Sequence, residues 1–233
     1  MNFLDLGILL IFAFFLLAGW YRGFFCTLLS IGAYTLSCGI ALILMPVASN
    51  LVKNNAKLYT MALYYAEGGE LVRDVELSKT AISSLSSEQL SGIMESANLP
   101  LPMGSRISEN IAREAFAKDG LTTLGEYFNQ TIVNVFINIL CVLLVFIVLR
   151  LLFAFVINLI DYARNGYPIL SGADGILGAS FGLIRGFLAM YILFLLAPVA
   201  LIVLPKVKDY LDASYFGAFF YNSNFLLRLI SGV

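Results

Sequence analysis

The chain has 233 residues, 60% of them hydrophobic and 12% charged, with a mean hydropathy of +0.89. About a quarter of a soluble domain is charged, so the apolar excess must face an apolar solvent and the chain reads as a polytopic membrane protein. The net charge of −1 provides no basic field for nucleic acid or anionic lipid, and the absence of histidine excludes His-based acid–base catalysis, His metal ligands and Ser-His triads.

The three cysteines, Cys26, Cys38 and Cys141, all lie inside apolar runs. They read as small buried residues rather than a disulfide framework or a metal site. No cofactor and no metal is expected.

The first apolar run, Leu4–Tyr21, is broken only by Asp5 and has about the minimum length of a span. Its acidic start lacks the basic n-region and small-residue cleavage site of a signal peptide, so it is read as retained. Trp20 and Tyr21 fit an aromatic interface belt and Arg22 a cytoplasmic flank. The second run, Phe24–Met45, is predicted to stop at Pro46. Only Arg22-Gly23 separates the two runs, so 1–46 is expected to be a tight transmembrane hairpin with Gly23 in the turn. Gly32 and Gly39 are expected to thin the second helix for close packing.

Residues 51–130 change character and hold seven basic and ten acidic side chains. The segment 47–131 therefore reads as a water-exposed helical insert that rests on the membrane part as a cap. Ser86-Ser-Glu-Gln89 has the pattern of a capping box, followed by Leu90, Ile93, Met94 and Ala97 at helical spacing. A second insert helix is predicted over Arg106–Lys118, with Ile107, Ile111 and Ala115 on one face and a stop at Asp119-Gly120.

The third run, Ile132–Ile160, contains Asn134, Asn138, Arg150 and Asn158. Roughly 20 residues suffice for a span, so Ile132–Leu149 is expected to cross, with Arg150 snorkelling to the interface. Asn134 and Asn138 lie one turn apart, placed to bond a neighbouring helix. A polar connection of Asp161, Arg164, Asn165-Gly166 and Pro168 leads to the glycine-dense Ser171–Phe187 and the last run, Phe187–Leu204, which ends at Pro205-Lys206. Residues 132–205 are thus read as a second transmembrane hairpin. The aromatic, amphipathic tail, 206–233, reads as an interfacial helix or a segment packed on the insert. Arg22 and Arg164 fall on one side, with Arg150 and Arg185 near it. The positive-inside rule makes that side cytoplasmic and places the termini and the insert outside.

The motif Gly182-Leu-Ile-Arg185-Gly186-Phe187 echoes Gly19-Trp-Tyr-Arg22-Gly23-Phe24. Gly178, Gly182 and Gly186 recur every fourth residue, as do Gly19 and Gly23. Such faces let helix backbones approach and gain dispersion contacts, between the two motifs or between copies of the chain. The functional reading is that the arginines beside these glycine faces, Arg22 and Arg185, line a polar path or hold an anionic headgroup. Asp174 has two readings: a cap for the helix that starts there, or an ion-pair partner of Arg22 or Arg164. As one helix, Asp174–Leu204 would run about 46 Å, beyond the ~30 Å hydrocarbon core. A kink, tilt or break near Arg185-Gly186 is therefore predicted. Whether 174–184 spans, re-enters or lies at the interface stays open.

Gly178-Ala-Ser180-Phe-Gly182 matches G-x-S-x-G. That chemistry needs a strand–turn–helix setting and a general base, and there is no histidine. Ser180 is read as part of a small-residue helix face.

Asp174-Gly-Ile-Leu-Gly178-Ala-Ser-Phe-Gly182-Leu-Ile-Arg185-Gly186, with Asp5 in the first run and Arg22-Gly23 after it, resembles the bacterial colicin V production protein family. The resemblance covers about 1–46 and 132–204, and Ser214 to Asn224 resembles the ending of longer members; the insert is a departure. It implies a four-helix protein of the bacterial cytoplasmic (inner) membrane, involved in toxin production or export and in envelope maintenance. The combined expectation is an all-α polytopic membrane protein with four transmembrane helices as two hairpins, an extracytoplasmic helical insert and an interfacial C-terminal helix. Its expected role is that of a non-enzymatic scaffold or accessory factor. Its expected partners are the lipid bilayer and unidentified membrane or secreted proteins, including a second copy of itself, and not nucleic acid. The alternative is a channel or small-solute transporter with Arg22, Arg150, Arg185, Asn134 and Asn138 lining a path.

Overall fold

The computed structural model describes residues 2–66, 68–72, 74–164, 172–204 and 206–233. Glu67 and Arg73, counted among the charges of 51–130, the connection 165–171 and Pro205 lie outside the described residues, as does the side chain of Arg164.

The fold is all helical, as long apolar runs must be where no water can satisfy backbone groups. Helix α1 is Phe3–Lys53, α6 is Leu124–Arg164 and α7 is Gly172–Leu193. Between α1 and α6 lie α2 (Ala56–Ala66), α3 (Val75–Lys79), α4 (Ser87–Ala97) and α5 (Met103–Ala112). After α7 come α8 (Ala197–Val203), α9 (Val207–Asp212) and α10 (Tyr215–Asn222). Three stretches are long and apolar enough to cross a membrane: Phe3–Lys53, Leu124–Tyr162 and Asp174–Val203. Much of their apolar surface points outward; Leu144, Ile147, Leu151 and Phe155 of α6 are all more than half exposed. Such a surface requires lipid contact, and the protein is a multi-pass membrane protein.

The chain divides into two compact units, Met1–Leu44 with Val142–Leu226, and Met45–Cys141 with Leu227–Val233. In the first, α1 is interrupted at Gly23, whose φ of 75° and ψ of 175° are non-helical. Ile8, Met190, Phe194, Leu211 and Phe220 form a buried cluster there. The tail thus contributes to the core: the Phe220 ring lies 5.8 Å from that of Phe194 and 5.6 Å from that of Phe187. Asp5, fully buried, fixes this arrangement. It accepts from the Ser214 hydroxyl (2.6 Å) and the Phe216 N–H (3.0 Å), at the start of α10.

The predicted break near Arg185-Gly186 is corrected. Helix α7 runs unbroken through both residues, and the backbone changes instead to a 3-10 turn at Phe194–Leu196. Pro198 lies just beyond, in the first turn of α8. A proline lacks the N–H that would continue the ladder and its ring crowds the carbonyl of residue i−4, here Phe194. The stop at Pro46 is corrected too: α1 continues through it to Lys53. Proline's φ is itself helical, so one hydrogen bond is lost, while Ala48 and Val52 pack onto Val133, Ile137 and Cys141 and hold the extension in place. Gly32 and Gly39 have nothing within 4 Å of a built Cβ, so neither supports a close helix approach.

The second unit starts α6 at Leu124, eight residues before the apolar run, because Leu124, Tyr127 and Phe128 are fully buried in it. The capping box at α4 is complete: the Gln89 N–H donates to Ser86 Oγ (3.2 Å) and the Ser86 N–H to Gln89 Oε1 (2.9 Å). The α5 prediction is corrected at both ends, to Met103–Ala112. The helix ends in a Schellman motif, with Glu114 N–H bonded to the Ile111 carbonyl and Ala115 N–H to that of Asn110. Glu114 occupies the left-handed position, φ 47°, that glycine normally marks.

On α5, Glu109 pairs with Arg106 (2.5 Å) and Arg113 (2.9 Å). Its carboxyl lies below the usual glutamate range, chiefly through the Arg106 hydrogen bond. A depressed folded-state pKa adds stability that is present above the unfolded value and lost as pH falls through the folded one. Acid melts are therefore expected to show a small loss of stability below the ordinary glutamate range. Glu109→Gln should flatten that part of the profile, and an unchanged profile would remove the pair from the account.

Candidate functional site

The two glycine motifs meet. A Cβ on Gly19 would stand 2.2 Å from the Gly178 carbonyl oxygen and 3.0 Å from Gly182 Cα. One on Gly178 would stand 2.3 Å from the Gly19 carbonyl oxygen, and one on Gly182 2.4 Å from that of Phe15. The first part of α1 and α7 are thus in backbone contact, which only glycine permits. A Cβ on Gly186 would instead stand 3.0 Å from the Phe12 ring. These glycine faces are filled from within the chain.

Gly23 and Asp174 form one joint. The Phe24 N–H, an unsatisfied donor where α1 restarts after Gly23, donates to Asp174 Oδ1 (2.8 Å). Asp174 sits in the first turn of α7, so its carboxylate caps the restart of α1. This role was not read from the sequence: sequence position shows which helix an acid begins, and not which other helix starts beside it. Among the described residues, no ion pair joins Asp174 to Arg22.

Arg185 is buried at 8% exposure. Its guanidinium carbon lies 4.8 Å from the Phe15 ring centroid and 5.8 Å from that of Tyr34. That of Arg150 lies 4.6 Å from the same Tyr34 ring, which in turn packs on Phe146. Arg150 thus turns to an aromatic face, where the sequence predicted that it would snorkel outward. Two like charges, Arg150 and Arg185, thus stand at one ring. The sequence reading named the arginines and missed Phe15 and Tyr34. The available signal was Tyr34 in register with Ser30 and Ser37, a polar i, i+4, i+7 face in an apolar helix.

Asn134 and Asn138 belong to the second unit. Asn138 Nδ2 donates to the Ser231 carbonyl (2.8 Å), and Asn134 Nδ2 to that of Gly232 (3.4 Å). Asn134 Oδ1 accepts from the Tyr59 hydroxyl (2.9 Å), and Asn110 Nδ2 also donates to the Gly232 carbonyl (3.0 Å). These amides tie down the end of the tail. Asn138→Leu should cost about 1 kcal/mol by leaving the part-buried Ser231 carbonyl unpaired, and should expose 227–233 to protease. Native-like resistance of that variant would contradict the assignment.

Ser180 lies inside α7 and donates to the Ile176 carbonyl one turn back (3.0 Å). The three cysteines form no disulfide with one another. Among the described residues, no group of His, Cys, Asp or Glu is placed to hold a metal.

No curated protein and no solved structure matches the chain. The model of one family, described as colicin V production protein, does match it, over residues 115–224. That segment holds α6, the glycine-faced α7 and the tail through α10, and over it the chain is a match to the colicin V production protein family, the family that its motifs resemble.

Proposed function

We propose that the protein is a non-enzymatic accessory or scaffold factor of the bacterial cytoplasmic membrane, supporting toxin production or secretion, or envelope maintenance, by binding other proteins. In this reading α1 contributes two spans folded back at Gly23, α6 a third and α7–α8 a fourth. The insert lies outside the cell and the tail at the outer interface. The carrying observation is the use made of the polar groups. Asn134 and Asn138, candidates for lining a solute path, hold the chain's own backbone at Gly232 and Ser231. That use favours a self-contained scaffold over an open route.

A photo-crosslinker at Ser87, on the insert, should capture discrete membrane or secreted partners in cells, whereas purified protein in liposomes should pass neither ions nor small solutes. Flux that Arg185→Ala abolishes would overturn the scaffold reading. In a cysteine-free background, Ser87→Cys should react with an impermeant maleimide on intact spheroplasts. Reaction only after lysis would reverse the orientation.

A further inference from the structure

Three helices of the first unit bring charged and hydroxyl groups to one level. One end of that unit is marked by Gly23, Asp174 and Asp161, joined through the Phe24 N–H to Asp174 and through Cys26 Sγ to Asp161 Oδ1 (3.2 Å). Tyr34, Arg185 and Arg150 each lie eleven residues from that end, along α1, α7 and α6 respectively. At 1.5 Å per residue this is about 16 Å, near the middle of a ~30 Å hydrocarbon core. The first part of α1 gives the same depth, since Phe15, under the Arg185 guanidinium, lies eight residues before Gly23, about 12 Å.

At this level the cations lack counter-charges. The acidic residues of the unit are Asp5, Asp161, Asp174, Asp209 and Asp212. Among the described residues, none is ion-paired with Arg150 or Arg185, the ion pairs being those of Glu109. Asp5 and Asp174 bond neutral donors instead. The aromatic rings stabilise the guanidinium faces and the Tyr34 side chain shares a hydrogen bond with Arg185, but a ring face accepts nothing from the remaining in-plane N–H groups. Arg185 Nε and Arg150 Nη1 are buried without a hydrogen-bond partner. So are the hydroxyls of Ser30 and Ser37, both fully buried and one turn either side of Tyr34. Hydroxyls in helices commonly bond back to the carbonyl of residue i−4, as Thr27 and Thr35 do here. Ser30 and Ser37 do not.

Unpaired donors and like charges at mid-membrane depth are costly, and one kind of ligand relieves both. An oxyanion supplies the missing negative charge and accepts from guanidinium edges and hydroxyls together. We propose that Arg150 and Arg185, with Tyr34 and either Ser30 or Ser37 one turn from it, form a mid-membrane binding site for a small oxyanion of the phosphate or carboxylate class. This goes beyond the accessory-factor reading and does not depend on it, since a bound anion completes the site without opening a path. The same chemistry is available from a free solute and from an anionic lipid headgroup.

The test uses the purified full-length protein. In neutral detergent, thermal melts are recorded against inorganic phosphate and acetate, with chloride at matched ionic strength. In a second arm, nanodiscs of phosphatidylcholine are compared with nanodiscs containing phosphatidylglycerol. A saturable rise in melting temperature with phosphate or acetate, and not chloride, is expected for a solute. A rise with phosphatidylglycerol alone assigns the site to a headgroup. Arg185→Gln and, separately, Arg150→Gln should weaken the effect at least about tenfold, as loss of one partner of a buried charge pair does. Without anion, Arg185→Gln should melt no lower than the native protein, because it removes an uncompensated buried charge. No saturable rise in either arm, or an equal rise in both variants, would overturn the site.

Discussion

Gly178→Leu should destroy the packing of the membrane helices, at a cost of about 3 kcal/mol or more. The first added carbon already stands 2.3 Å from the Gly19 carbonyl oxygen and 2.8 Å from the Gly23 carbonyl carbon. Both are backbone atoms of a helix that is itself held by its hydrogen-bond ladder, so no side chain can swing aside to make room. Moving the helices apart removes the dispersion contacts that hold them, and in a bilayer no hydrophobic drive replaces these. Gly39→Ala is the matched control. It meets nothing within 4 Å and replaces glycine by the best helix former, so it should be neutral or stabilise by up to about 1 kcal/mol. Denaturation of the two variants in detergent distinguishes them. If Gly178→Leu unfolds with the native midpoint, the backbone contact between α1 and α7 is not what holds these helices together.

The second large effect is expected at Gly23. Its φ of 75° and ψ of 175° lie in a region open essentially to glycine alone, at a cost of order 1–3 kcal/mol for other residues. An alanine Cβ would also stand 2.1 Å from Asp174 Oδ2. Displacing that carboxylate uncaps the Phe24 N–H, worth about 0.5–2 kcal/mol more. Gly23→Ala should therefore destabilise by about 2–4 kcal/mol on these two terms. Asp174→Ala should carry only the cap's share, and Asp174→Asn less, since its amide oxygen still accepts. Because the two residues touch, the double variant Gly23→Ala with Asp174→Ala should cost less than the sum of the singles. Strict additivity would show that the joint is two independent features.

The tail and the asparagines mark the limit of what local pattern reveals. Asn134 and Asn138 were legible as amides needing partners, because their one-turn spacing sets them on one face of a recognisable helix. Their partners, the carbonyls of Gly232 and Ser231, lie nearly a hundred residues away, at a distance no periodicity encodes. The same holds for Asp5, legible as an anomaly in an apolar run and explained only by Ser214 and Phe216. The end of α5 was misplaced for a different reason. A Schellman motif is normally announced by glycine, and here Glu114 adopts the left-handed conformation itself. Pro46 misled in the opposite sense, since a breaker is overridden where the turns beyond it have a surface to bury.

By itself the sequence determined the solvent, the helical class, the capping box at Ser86 and the resemblance that the match over 115–224 bears out. All of these follow from composition and from neighbours within a few residues, where spacing along the chain is spacing in space. Tertiary structure alone decided that the glycine motifs meet each other, that Asp174 caps another helix, and that Arg150, Arg185 and Tyr34 share one level. Each of these depends on which helices are neighbours and at what register. In a membrane that choice is made by backbone approach and polar satisfaction between distant segments, and neither is written in the period of a single helix.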